Sequence, residues 1–183
     1  METILELIRQ RRSPRDFSDR EIKEEDLQKI FEAARWAPSS YNRQPWRFIY
    51  ADRGKNPELY DVLLNVMVEF NQAWAKAAPV LILAMTTVKY EHYKDDHQYS
   101  WYDLALAVEN MAIMSEGLGI SIHQMSGFDS QKTKEDLNIP ENFEPVTMIA
   151  MGYAEKTGNL PLDIYKMEAA PRERKEIEEI FFN

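Results

Sequence analysis

A chain of 183 residues has room for one domain of ordinary size, expected over 1–183, and too little for two independent enzymes. Its 44% hydrophobic and 29% charged residues exclude a disordered chain, and its formal net charge of −9 excludes general nucleic-acid binding. The absence of cysteine excludes disulfides, thiolate metal sites, cysteine-ligated clusters and a thiol nucleophile, and the longest apolar run, Ala77 to Met85, falls short of the roughly 20 residues a membrane span needs.

At the N-terminus, Thr3 and Glu6 form a capping-box pair, and Ile4, Leu7 and Ile8 fall on one face of a helix that should end before Pro14. The same stretch puts its cations after its apolar residues and has no small-residue cleavage site, so a signal peptide is not expected and a cytoplasmic location is. Leu27, Ile30, Phe31 and Ala34 mark a second helix with an acidic first turn, stopped at Pro38. After the loop PSSYNRQP, the alternation of Trp46, Phe48 and Tyr50 predicts a strand.

Pro57 opens a third helix carrying Leu59, Val62, Leu63, Val66, Met67 and Phe70, and residues 79–87 have the length and apolarity of a strand covered on both faces. Residues 89–99 are polar and aromatic without periodicity. A helix apolar nearly all round, through Leu104, Val108, Met111 and Ser115, belongs in the core and ends at Gly117 and Gly119. Ile120, Ile122 and Gln124 alternate in a short strand. Asp129 caps a short helix that stops before Pro140, Val146 to Tyr153 is the last strand, and a charged helix is expected over Arg174 to Phe182. Helices and strands alternate without a regular rhythm, which predicts the α+β class with a mixed central sheet flanked by helices.

No GxGxxG and no GxxxxGK[ST] occurs, so dinucleotide binding of the Rossmann kind is not expected. Charge gives a better lead. Between Arg9 and Arg20 there are five arginines against Asp16 and Asp19, a local excess of three positive charges in an acidic chain. The segment RRSPR combines paired guanidinium donors, a hydroxyl and a proline-fixed turn, which suits a phosphate; Arg172, Arg174 and Lys175 form a second cationic group. Solvated helix ends would produce the same charge pattern. In the loop, Ser39, Ser40, Asn42 and Gln44 concentrate amides and hydroxyls that suit the polar edge of a heteroaromatic ring, or else a capped turn that packs Trp46 into the core.

RRSPR followed some 25 residues later by PSSYNRQPW resembles the nitroreductase family of flavin-dependent oxidoreductases. The resemblance continues through Asn71, APVLIL, ALAVENMAIMSEGLGIS, QMSGF, Met151 to Tyr153 and the APRER tail, nearly the whole chain. It implies a nitroreductase-like α+β homodimer with two shared FMN sites. Arg11, Arg12, Ser13 and Arg15 would hold the phosphate and ribityl chain of FMN, with Arg172 and Arg174 closing on the phosphate. Pro38, Ser39, Ser40, Asn42 and Gln44 would lie beside the cofactor, partly from the other subunit, and Asn71 would meet the ring's polar edge. The backbone of Gln124, Met125, Ser126 and Gly127 would face the flavin N5 and O4 region. Related enzymes often carry Pro and Glu where this chain has Gln124 and Ser126, which points to backbone contact there.

The implied activity is NAD(P)H-dependent reduction of nitroaromatics, quinones or a similar small acceptor by a ping-pong mechanism, with no catalytic side chain required for the first step. Alternatives are flavin reduction, enone reduction or dehalogenation on the same scaffold, a flavin-binding protein without turnover, or an acidic domain that binds some phosphorylated metabolite. His92 and His97 with Glu91, Asp95 and Asp96 match no tight metal-ligand spacing and are expected to be a solvated loop. Tyr90, Tyr93, Tyr99 and Trp101 are candidates for the substrate pocket. His123 is expected to be a strand residue, and Met111, Met114 and Met125 core filling.

Overall fold

Strand β2 (Val80–Thr87) is where burial is most complete, and its alternation divides the molecule into layers. Val80, Ile82 and Ala84 point to helices α2 (Glu24–Arg35) and α5 (His97–Gly117), where they meet Leu27, Ile30, Leu104, Val108 and Met111. Leu81, Leu83 and Met85 point to the other face, covered by α3 (Pro57–Asn65), α4 (Glu69–Ala75) and α7 (Leu162–Glu168) through Leu63, Trp74 and Ile164. Each fully buried large apolar side chain contributes about 1.5–3 kcal/mol, so a strand apolar on both faces can hold two helical layers. The computed structural model describes residues 3–88, 97–156 and 158–182.

The remaining elements are α1 (Ile4–Gln10), β1 (Trp46–Asp52), β3 (Ser121–Met125), α6 (Ser130–Asp136), β4 (Phe143–Gly152) and two short 3-10 turns at Ser40–Asn42 and Ile177–Glu179. The strands lie in the order β1-β2-β4-β3. The α+β class is as expected, but the sheet is not mixed, because each neighbouring pair runs antiparallel. The cause is one insertion. Helix α5, 21 residues long and so about 30 Å, carries the chain back across the sheet, and β3 therefore runs in the same direction as β2. Strand β4 then enters between them and faces the opposite way to both. Its register with β2 slips beside Pro145, a bulge that accommodates a proline in a central strand.

Three further expectations change. The helix predicted through Phe70 breaks at 66–68, because that segment leaves the helix to bond with 127–129: the Val68 amide donates to the Gly127 carbonyl (3.0 Å) and the Asp129 amide to Val66 (2.8 Å). The C-terminal helix is only the turn Ile177–Glu179, whose residues bury nothing, while α7 forms earlier in the tail. Met114 is 38% exposed and is not core filling, whereas Met111 and Met125 are buried. Among the described residues no helix is long and apolar enough to cross a membrane.

Candidate functional site

The capping box of α1 forms as expected, Thr3 Oγ1 accepting from the Glu6 amide and Glu6 accepting from the Thr3 amide. The helix stops at Gln10, and RRSPR turns away from its end. The last carbonyls of a helix lack intrahelical donors. Here Arg172, 161 residues away, donates to the carbonyls of Arg9 and Arg11 and so ties the tail to α1. Arg11 donates to Ser13 Oγ at 3.2 Å. The result is a hollow of about 540 Å³ lined by Ile8, Arg9, Arg11, Ser13, Glu109, Gln124, Arg172 and Arg174.

Two segments that sequence separates by the length of the chain thus converge on one cationic concavity. Desolvation, and then the like charges of Arg174, Arg12 and Arg11, hold the Arg172 guanidinium below its ordinary pKa, against a smaller opposing pull from Glu116. Crowded cations of this kind favour a multiply charged anion between them. Arg12 and Arg15 line a smaller adjoining hollow of about 210 Å³ that shares Arg11, Ser13 and Arg172. Arg12 also lines a further hollow, of about 640 Å³, together with Asp16, Glu116 and Glu168.

Arg15 is held by α7: its amide donates to Glu168 at 3.2 Å and its guanidinium lies 3.8 Å from the same carboxylate. It also sits over the Trp74 ring, 5.8 Å from the centroid, and the other partner of Trp74 is His123, with centroids 4.5 Å apart. His123 Nδ1–H donates to the Pro14 carbonyl at 2.9 Å. Burial lowers the His123 pKa to about 4, with Arg15 acting in the same direction and the carbonyls of Pro14 and Ser13 opposing. Arg15 Nε, in the smaller hollow, and the core Trp74 Nε1 are buried donors without a protein acceptor. Glu168, Trp74 and His123 carried no motif in the sequence, since their roles depend on partners more than 40 residues away.

At the other end of β3, Gln124 and Ser126 are exposed, Met125 is buried, and the Met125 carbonyl accepts from Thr147 Oγ1 at 3.0 Å. Asn71, only 8% exposed, donates through Nδ2 to the Gly127 carbonyl at 3.0 Å. A Cβ on Gly127 would lie 2.6 Å from that nitrogen, so glycine is required for the approach. The break between α3 and α4 is what brings Asn71 here.

The loop of residues 38–44 is placed elsewhere. Pro38, Ser39 and Ser40 line a separate hollow of about 360 Å³ with Tyr99, Tyr102, Asp103 and Leu106, and share no lining residue with the arginine hollow. The buried Asp103 carboxylate accepts from the Ser40 amide (3.1 Å), Ser39 Oγ accepts from the Gln44 amide (2.9 Å), and Gln44 Nε2 donates to Asn42 (3.3 Å). Tyr41, Asn42 and Gln44 all have φ between 51° and 54°, a left-handed conformation costly for residues with a Cβ. Of the candidate pocket aromatics, Tyr99 and Trp101 are exposed on α5, while Tyr90 and Tyr93 lie outside the described residues, as do His92, Glu91, Asp95 and Asp96. The His97 side chain is likewise outside the description.

The chain is thus an α+β protein whose antiparallel sheet lies between two helical layers, with an arginine-lined hollow reaching Gln124 of the edge strand β3. The profile of the Nitroreductase family matches residues 8–153, and the chain belongs to that family. A relative from Archaeoglobus fulgidus, provisionally named NADH dehydrogenase/NAD(P)H nitroreductase, is 32% identical over 84% of this chain and 86% of its own. The major NAD(P)H-flavin oxidoreductase of Aliivibrio fischeri is 34% identical over 81% of this chain and 66% of its own. A solved oxidoreductase containing FMN superposes with a TM-score of 0.85 at 31% identity, covering 96% of this chain and 89% of that one.

Proposed function

We propose that this chain is an FMN-dependent oxidoreductase that takes reducing equivalents from NADH or NADPH and passes them to a small acceptor such as a nitroaromatic or a quinone. The observation that carries this is the convergence of Arg11, Ser13, Arg172 and Arg174, from opposite ends of the chain, on one hollow. The donor set fits FMN: planar guanidinium groups and a hydroxyl match a phosphate dianion, and the amide-rich rim from Gln124 to Gly127 with Asn71 matches the edge of a ring that both donates and accepts. Family membership and the related oxidoreductase containing FMN support the same assignment.

Bound FMN supplies reversible hydride chemistry that no side chain here provides. Arg11, Arg172 and Arg174 would neutralise its phosphate and the Ser13 hydroxyl, which accepts from Arg11, would be free to donate to it, while Glu168 braces Arg15 nearby. The 124–127 backbone and Asn71 would meet the ring edge and could stabilise negative charge on the reduced ring. The 38–44 loop, placed away from the arginine hollow, completes the site of a second copy in a cytoplasmic homodimer. The exposed apolar residues Ile4, Leu5 and Ile8 of α1, which buries none of its residues in its own chain, support that pairing.

Since one face of the ring must serve donor and acceptor in turn, initial-rate plots should be parallel, as for a ping-pong mechanism; intersecting plots would contradict it. The decisive experiment is the visible spectrum of freshly purified protein before and after anaerobic NADH or NADPH. A flavin spectrum that bleaches is expected. A bound flavin that neither nucleotide reduces would mean storage or sensing, and a protein that stays colourless after incubation with FMN would remove the cofactor assignment.

A further inference from the structure

We propose that His123 is a positioning residue for the anion-binding turn, tethering the Pro14 carbonyl so that Arg11 and Ser13 face the hollow. This rests on the phosphate site proposed above. The turn is anchored on its C-terminal side, where the Arg15 amide donates to Glu168, and His123 holds it one residue earlier. Pro14 has no N–H, and the carbonyls on either side of the helix end, Arg9 and Arg11, are taken by Arg172. The Pro14 carbonyl is instead met by a side chain 109 residues further on, at 2.9 Å. A carbonyl only accepts, so the proton resides on Nδ1 of the ring.

The ring is confined, because it is 8% exposed and packs on Trp74, whose ring also carries Arg15. Strand alternation adds a geometric link: β3 turns His123 to the face that Trp74 covers and Gln124, the next residue, to the opposite face, where it lines the hollow. One strand thereby supplies a wall of the anion site and the clamp on its loop. Burial keeps the ring neutral at physiological pH, so the tether is a single, constant donor.

The test compares FMN with riboflavin, which lacks the phosphate, in the unaltered protein, His123→Phe and His123→Gln. Phenylalanine keeps the stack on Trp74 and removes the donor; glutamine restores a donor. The phenylalanine variant should lose about tenfold in FMN affinity with riboflavin affinity unchanged, and glutamine should recover part of the loss. Unchanged FMN affinity in His123→Phe, or an equal loss for both ligands, would overturn the positioning role. If the unaltered protein bound riboflavin as tightly as FMN, the phosphate site itself would fall, and this proposal with it. Should the variants fail to fold, the unaltered protein still decides: on adding inorganic phosphate the His123 Nδ1–H resonance should exchange more slowly with solvent, and no response in phosphate-bound protein would count against the tether.

Discussion

Arg172, though exposed, has two roles: it satisfies orphan carbonyls at the end of α1 and stands among Arg174, Arg12 and Arg11. Arg172→Ala should weaken FMN binding roughly ten- to hundredfold, the range for a charge-assisted hydrogen bond, while leaving riboflavin binding far less affected; fluorescence titration of the two flavins measures both. His123 yields a pH prediction. Its pKa is about 4 folded against 6.5 unfolded, so between those values the unfolded chain binds more protons. The stability it contributes is full above pH 6.5 and lost as pH falls toward 4. His123→Phe should therefore show a shallower fall in urea midpoint across that window than the unaltered protein; parallel curves would contradict the buried neutral ring. The arginine-rich segment was legible in sequence because charge is a local property. Glu168, Trp74 and His123 were not, because a polar residue's partner is set by whichever distant backbone group burial leaves unpaired.

The break between α3 and α4 shows how two elements fix one side chain. Periodicity from Pro57 to Phe70 is helical throughout, yet the pairing of 66–68 with 127–129 outweighs continuation of the helix and delivers Asn71 to Gly127. Gly127→Ala would put a Cβ 2.6 Å from Asn71 Nδ2 and 3.0 Å from Val68 Cγ2. About 1–3 kcal/mol of destabilisation is expected, with a perturbed flavin spectrum; an unchanged urea midpoint would show that the approach is not required. On the opposite layer, Leu104→Ala should cost about 2–5 kcal/mol, because its neighbours Leu27, Ile30 and Val108 are themselves fixed and cannot fill the cavity. Helix α2, strand β2 and the caps at Thr3 and Asp129 lie where their patterns predicted. The C-terminal segment does not, since an amphipathic pattern forms a stable helix only against a surface, and residues 177–182 meet none in their own chain.

For the whole molecule, the arrangement of apolar surface bears on assembly. Ile4 and Leu5 are 73% and 53% exposed on α1, and Trp101, Tyr102 and Met114 are exposed along α5, which α1 packs against. If the proposed shared site is right, replacing Ile4 and Leu5 together by serine should produce monomers in sedimentation that retain little flavin, because each site would lose the 38–44 loop of the second copy. Full flavin retention by true monomers on dilution would exclude a shared site. The sequence by itself determined most of the helices and strands, the cationic turn, the amide-rich loop and the resemblance that named the family, all of them properties of neighbouring residues or of short spacings. Only the tertiary structure decided that β4 inserts between β2 and β3, that the 66–68 segment leaves its helix, and that residues 172–174 return to residues 11–13. Those outcomes minimise exposed apolar area and unpaired polar groups over the whole chain at once, and no local pattern encodes that sum.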